Sequence, residues 1–150
     1  MSDSYSSAEP TMVSFEQIHR LLLRLESLQY KFRFFNLDVL EISRSYPKIK
    51  RLLKNTFRVR KQQMTDMLKK AIEDGFFKKT AEENIGQLLL SIRIIITFWL
   101  SQEELLSDSN SKKKNGGMSV QIWQLLVPYM RDKGHLFYSN LVEETGMKQH

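Results

Sequence analysis

The stretch Leu88-Leu89-Leu90-Ser91-Ile92-Arg93-Ile94-Ile95-Ile96-Thr97-Phe98-Trp99-Leu100 is the most apolar part of this chain and carries a single charge. It is shorter than the roughly 20 apolar residues that a transmembrane helix needs. Thr80 and Glu83 form a capping-box pattern ahead of it, and residues that favour helices continue to Leu106. The sequence therefore predicts one long buried helix over residues 81–106. A buried strand over Ile92–Trp99 is the alternative.

This helix is predicted to be apolar on two sides. On a helical wheel Ile94 and Phe98 lie opposite the broad apolar face, and Arg93 lies at the edge of that face. A helix that is apolar nearly all round is covered on more than one side, so the second face predicts contact with a partner subunit or a ligand. The broad face contains Ile85, Leu88, Leu89, Ile92, Ile95, Ile96, Trp99 and Leu100.

The composition is that of one ordinary globular domain. The chain has 150 residues, of which 41% are hydrophobic and 27% charged, with few glycines and prolines. It contains no cysteine, which excludes disulfides and Cys-ligated zinc. Residues 1–10 lack the basic and apolar regions of a secretory signal, so a cytoplasmic protein without a membrane segment is predicted. The net charge of +6 permits contact with nucleic acid, and solvated lysines explain it equally well.

The rest of the chain also predicts helices and the ends of helices. Ser14 with Gln17 forms a second capping box, and Pro47 suits the first turn of a helix that Gly75 ends. Pro128 is expected to end a later helix, and Gly134 to mark a break. The result is an all-α bundle of about six helices, with one regulatory domain over residues 14–145. The predicted segments are a disordered 1–13, a first helix that starts at Ser14, a second that ends before Pro47, helices at 47–74, 81–106, 118–131 and 136–144, and a loop at 107–117.

Catalytic chemistry has little support in the sequence. His19, His135 and His150 are far apart and show no metal-ligand spacing. His19 is expected at the surface or edge of its helix. No glycine-rich phosphate loop and no Gly-x-Ser-x-Gly elbow occurs. The prediction is a protein that is not an enzyme and needs no cofactor or metal.

Two arginines fall among apolar positions and suggest a binding pocket. Arg60 and Arg93 could pair with Asp38, Glu41 or Asp66, or extend to water, since a buried charge without a partner is costly. The functional interpretation is an apolar pocket in which they orient a ligand. The predicted pocket residues are Phe32, Phe35, Phe57, Arg60, Met64, Met67, Arg93 and Trp99.

Several motifs together resemble the C-terminal regulatory domain of TetR/AcrR-type transcriptional regulators, over about residues 15–140. The start of a long helix at Tyr46-Pro47 and the glycine that follows this helix carry most weight. The motifs are Tyr30-Lys31-Phe32-Arg33-Phe34-Phe35 with Leu37 and Leu40, Tyr46-Pro47-x-Ile49, Arg60, Gly75-Phe76-Phe77 and Phe98-Trp99-Leu100.

The resemblance implies a homodimer that binds a small-molecule effector. It implies DNA binding only through an N-terminal helix-turn-helix unit, which residues 1–13 are too short to hold. The alternatives are a helical protein–protein interaction module and, less favoured, nucleic-acid binding by the basic face of helix 47–74. The dimer interface expected from helices 81–106 and 118–131 contains Ile95, Trp99, Val120, Trp123, Leu126, Val127 and Met130.

Overall fold

The computed structural model describes residues 13–106 and 117–145, and these form an all-α bundle. This confirms the predicted fold class. The predicted disordered segment and the predicted loop at 107–117 lie outside the described residues, apart from the last residue of each. The helices are α1 Ser14–Lys31, α2 Arg33–Leu37, α3 Val39–Ser45, α4 Pro47–Glu73, α5 Lys79–Glu83, α6 Ile85–Leu106, α7 Gly117–Leu126 and α8 Asp132–Thr145, with a 3₁₀ turn at Val127–Tyr129 between the last two.

Both predicted ends of the long helix α4 are confirmed. Pro47 occupies its first turn, where its missing N–H costs no intrahelical hydrogen bond. Tyr46 before it is extended, as the residue preceding a proline prefers. Beyond the C-terminus, Gly75 has φ of +88°, a conformation that side chains with a Cβ rarely adopt. The chain can therefore turn sharply into Phe76 and Phe77.

The predicted capping boxes are wrong. The Ser14 hydroxyl does not cap α1 but donates a hydrogen bond to Oδ2 of Asp74 at 2.8 Å, which ties the start of α1 to the end of α4. The helix predicted at 81–106 is interrupted at Asn84, whose side-chain amide donates to the carbonyl of Thr80 at 2.8 Å. A side chain that satisfies a backbone carbonyl locally competes with helix continuation, which explains the break.

Gly134 does not break the chain, contrary to the prediction, because it lies inside α8. A Cβ at this position would approach the carbonyl oxygen of Phe76 to 2.3 Å. The same carbonyl accepts a hydrogen bond from the N–H of Arg131 at 2.9 Å. The glycine therefore permits close packing of α8 on the turn that follows α4.

One end of the bundle is tightly packed around Trp123, which is fully buried. Its ring lies 4.8 Å from that of Phe15 and 5.4 Å from that of Tyr138. Its Nε1–H donates to Nδ1 of His19 at 3.1 Å. His19 is buried rather than at the surface, and burial lowers its pKa because the charged imidazolium would lose its hydration.

The other end of the bundle is loosely covered. Helices α2 and α3 contribute no buried residue, because the chain turns at Phe32 and again at Asp38 and no longer follows one continuous helical face. Apolar side chains of these two helices and of the start of α4 therefore remain partly exposed. Leu52 is 64% exposed, for example, and Phe32 is 54% exposed.

Helix α6 is longer than the apolar stretch that predicted it. By length and composition this 22-residue helix could cross a membrane, and only 22% of its most apolar window is buried in the protein. A core helix of a soluble protein can meet the same criterion. Its inner side contributes Leu88, Leu89, Ile92 and Leu100 to the core.

Candidate functional site

A cavity lies between α1, α4 and α6, next to the packed end of the bundle. This inner cavity has a volume of about 100 Å³. Most of its wall is apolar, and its polar groups are concentrated in three cationic side chains and one threonine. The lining residues are Leu21, Leu25, Phe57, Arg60, Lys61, Met64, Gly86, Leu89, Leu90, Ile92, Arg93, Ile96 and Thr97.

A second, larger cavity adjoins the first at the loosely covered end. This outer cavity has a volume of about 350 Å³, and α2 and α3 help to close it. The two cavities share Leu25, Phe57, Arg60, Ile96 and Thr97. Arg60 therefore stands at the boundary between them. The further lining residues of the outer cavity are Leu28, Gln29, Phe32, Phe35, Asn36, Val39, Leu53 and Thr56.

Arg60 is half-buried, and within the described part of the chain its guanidinium has no acidic partner. Burial lowers its pKa, because the charged form loses hydration. Asp66, one of the partners considered from the sequence, instead accepts a hydrogen bond from Nε2 of Gln62 at 2.9 Å. The prediction that Arg60 pairs with an acidic residue is therefore wrong within the part of the chain that the structure describes.

Gln29 supplies a neutral polar group to the outer cavity. Its side-chain N–H donates to the backbone carbonyl of Ile96 and so links α1 to α6. Its Oε1 atom is buried and has no hydrogen-bond partner among the described residues. An unpaired buried acceptor is costly and is found at few positions in a native protein. Nothing in the sequence distinguished this glutamine.

The structure brings six of the eight predicted pocket residues to the two cavities. Met67 and Trp99 do not line either one. Met67 packs against the core, and Trp99 lies over the start of α7, where its ring is 3.2 Å from an ideal Cβ on Gly117. The six that line a cavity are Phe32, Phe35, Phe57, Arg60, Met64 and Arg93. Their binding to a ligand stays a prediction.

Part of the predicted dimer interface needs correction. Val120, Trp123, Leu126 and Met130 are buried in the core of the protomer itself. A side chain that its own protomer encloses cannot contact a partner, so these four are core residues. The other three, Ile95, Trp99 and Val127, are half-buried against the same core.

The exposed apolar side of α6 is a different set of residues. Four exposed side chains spaced along the helix form what we term the outward stripe, and one of them, Leu90, also lines the inner cavity. Their exposed fractions are 40%, 51%, 54% and 82% for Leu90, Ile94, Phe98 and Leu105. The helical wheel had already separated Ile94 and Phe98 from the core-facing side. Apolar patches of this kind usually mark interaction surfaces.

The chemical groups at the site suit binding. The cavities offer apolar walls, cations and one unpaired amide oxygen. Within residues 13–106 and 117–145, no group of three or more His, Cys, Asp or Glu side chains could hold a metal ion. Such a concave apolar site with a few polar groups is typical of a small-molecule pocket.

Comparison with known protein families gives one match. A family model described as TetR, bacterial transcriptional repressor, matches residues 1–137, which is most of the chain. No curated protein and no solved structure matches the sequence.

Proposed function

Because this chain belongs to the TetR family of bacterial transcriptional repressors, we propose that it is the effector-sensing and dimerisation domain of such a regulator. Membership of the family gives the chain a role in transcription regulation. The proposed function has three parts. The helical domain binds a small molecule, two copies of it form a dimer, and ligand binding and dimerisation are coupled to a separate DNA-binding unit. We place this work in the cytoplasm, where the DNA is.

The observation that carries this proposal is the pair of adjoining cavities. The outer cavity alone, at about 350 Å³, reaches the size range of small-molecule pockets. Space retained between α1, α4 and α6 therefore supports a role in binding.

The positions of the helices suggest how a ligand acts. Helix α1 contacts α4, α6 and α7, so a molecule between α1, α4 and α6 changes how α1 packs on the others. A ligand shifts a conformational equilibrium only when it binds one state more tightly. We infer that the ligand-bound packing of α1 differs from the free packing and that the DNA-binding unit follows α1.

The outward stripe of α6 supports the second part of the proposal. Leu90, Ile94, Phe98 and Leu105 form an apolar band that another copy can cover in a symmetric contact. The half-buried Ile95 and Trp99 lie on the same helix but pack against the core, so they are not part of this band. Two α6 helices packed against each other form the centre of the proposed homodimer.

A protein–protein interaction module without a ligand is the second candidate function. The exposed aromatic residues of the α1–α2 junction favour it. Phe34 is 75% exposed, and the guanidinium carbon of Arg33 lies 5.0 Å from the centre of its ring. Such a surface needs no cavity, so a cavity-specific binding experiment separates the two functions.

Replacing Gly86 by Phe is expected to block the inner cavity. Gly86 is an exposed lining residue, and a Cβ built on it has nothing within 4 Å, so a larger side chain can extend over the cavity without a clash. The neutral dye N-phenyl-1-naphthylamine should bind the unchanged protein with increased fluorescence. In Gly86→Phe its affinity should fall at least about tenfold, the effect of losing roughly 1.4 kcal/mol of binding energy.

Gly86→Ala is the matched control. It changes the same residue but leaves the cavity open, and removal of a helical glycine should stabilise α6 slightly. Dye binding should therefore be unchanged. Equal dye binding in the unchanged protein and Gly86→Phe would place the dye outside the inner cavity, and absence of dye binding to either protein would favour the interaction module.

A further inference from the structure

We propose that the effector is an amphipathic anion, with one carboxylate-type head held at Arg60 and Arg93 and an apolar body in the outer cavity. This inference rests on the proposed function, because it names the class of ligand for the same pair of cavities. It starts from the charges of the lining residues, which nothing in the family match specifies.

All the charged side chains that line the two cavities are positive. Arg60, Lys61 and Arg93 line the inner cavity, and neither cavity has an Asp or Glu in its described lining. Lys61 and Arg93 are exposed, whereas Arg60 is half-buried and lies deeper. A low-dielectric recess with cations alone attracts an anion and repels a cation, and the effect is stronger than at an open surface.

Arg60 gives the strongest support, because it lacks a counter-ion within the described residues. A charged group that loses water without gaining a partner destabilises the protein that contains it. An anion that enters the cavity supplies this partner and restores two hydrogen-bond acceptors to the planar guanidinium. The free protein therefore holds a cation that ligand binding neutralises.

The outer cavity favours an apolar body for the same molecule. Phe32, Phe35, Val39 and Leu53 form its apolar wall. Arg60 and Phe57 line both cavities, so a single molecule can reach the arginine and occupy the larger space. The unpaired Oε1 of Gln29 can accept one N–H or O–H from that body. A fully charged or strongly polar ligand would leave the apolar wall without contacts.

Three probes with the same apolar tail test which head-group charge the cavity prefers in a ligand. Decanoate, decanol and decyltrimethylammonium are titrated into the protein by calorimetry, below the concentrations at which they form micelles. Decanoate should bind at least about tenfold more tightly than decanol, since a charge-assisted hydrogen bond is stronger than a neutral one. The ammonium probe should bind more weakly than decanol.

Two arginine variants test where the head lies. In Arg60→Gln the preference for decanoate over decanol should fall by at least about tenfold, with no loss of thermal stability because an unpaired, half-buried charge is removed. Arg93→Gln should reduce it less, because Arg93 is exposed. Arg58→Gln is the control, since it removes the same charge from an exposed position on α4 outside both cavities.

The outcomes separate the two proposals. If decanol binds as tightly as decanoate, or if Arg58→Gln reduces the preference as much as Arg60→Gln, the anion inference is wrong. The proposed function would survive that result, provided that Gly86→Phe still blocks the neutral dye. If neither the three probes nor the dye bind, both the proposed function and this inference fail.

Discussion

A protein that carries both Ile94→Glu and Phe98→Glu is expected to sediment as a monomer at concentrations where the unchanged protein is expected to form the proposed dimer. These two side chains are about half exposed in the protomer and are central to the outward stripe. In the dimer each carboxylate would be buried against apolar groups without a cation. An unpaired buried charge costs about 3 kcal/mol or more, which weakens the dimer by about a hundredfold or more. Sedimentation equilibrium over a range of protein concentrations measures this change.

Leu52→Glu is the control for this experiment. Leu52 is 64% exposed on α4, outside the outward stripe, so the same substitution should leave the dimer intact. Circular dichroism should show the same helix content in all three proteins. A dimer that survives both substitutions on α6 would contradict the interface, and an unchanged protein that is monomeric at high micromolar concentration would contradict dimerisation itself.

Replacing Trp123 by Ala is expected to lower the free energy of unfolding by about 4 kcal/mol, the usual cost of removing a large buried aromatic side chain. Trp123 is fully buried against Phe15 and Tyr138, and its indole N–H is satisfied by His19. The loss includes the contacts of the ring, the cavity that remains and the orphaned Nδ1 acceptor. Urea unfolding followed by circular dichroism measures it.

Two control variants separate the contributions to this loss of stability. Trp123→Phe keeps most of the ring and removes the hydrogen bond to His19, so it should cost about 2 kcal/mol. Trp99→Ala removes the other tryptophan, which is only half-buried, and should cost less than Trp123→Ala. If Trp123→Ala left stability unchanged and weakened the dimer instead, the residue would belong to the interface predicted from the sequence.

The sequence predicts the helices better than it predicts their partners. Pro47 and Gly75 mark the ends of α4, and each does so through its own backbone. The ring of Pro47 fixes φ at a helical value, and Gly75 can adopt the positive φ that ends the helix. The break at Asn84 was missed because it depends on one side chain that bonds a nearby carbonyl. Gly134 was misinterpreted because the need for a glycine there comes from the nearby carbonyl of Phe76, a residue that is distant in sequence.

At the site, too, the sequence reveals local properties of a residue but not its tertiary contacts. Arg60 stood out because a charge among apolar positions is visible in the helical pattern, and the structure places it between two cavities. Trp123 was assigned to the wrong surface because periodicity shows that a face is apolar and does not show what covers it. Whether Trp123 meets His19 or a partner subunit depends on tertiary packing, and Gln29 gave no signal for the same reason.

Methyl NMR of protein labelled at its methionine methyl groups tests the binding of a small molecule in the cavity most directly. Met64 lines the inner cavity, whereas Met118 and Met130 are fully buried elsewhere in the core. When N-phenyl-1-naphthylamine is added, ring currents of the dye should shift the Met64 signal and leave those of Met118 and Met130 in place. Saturable binding with no shift at Met64 would contradict a ligand site between α1, α4 and α6.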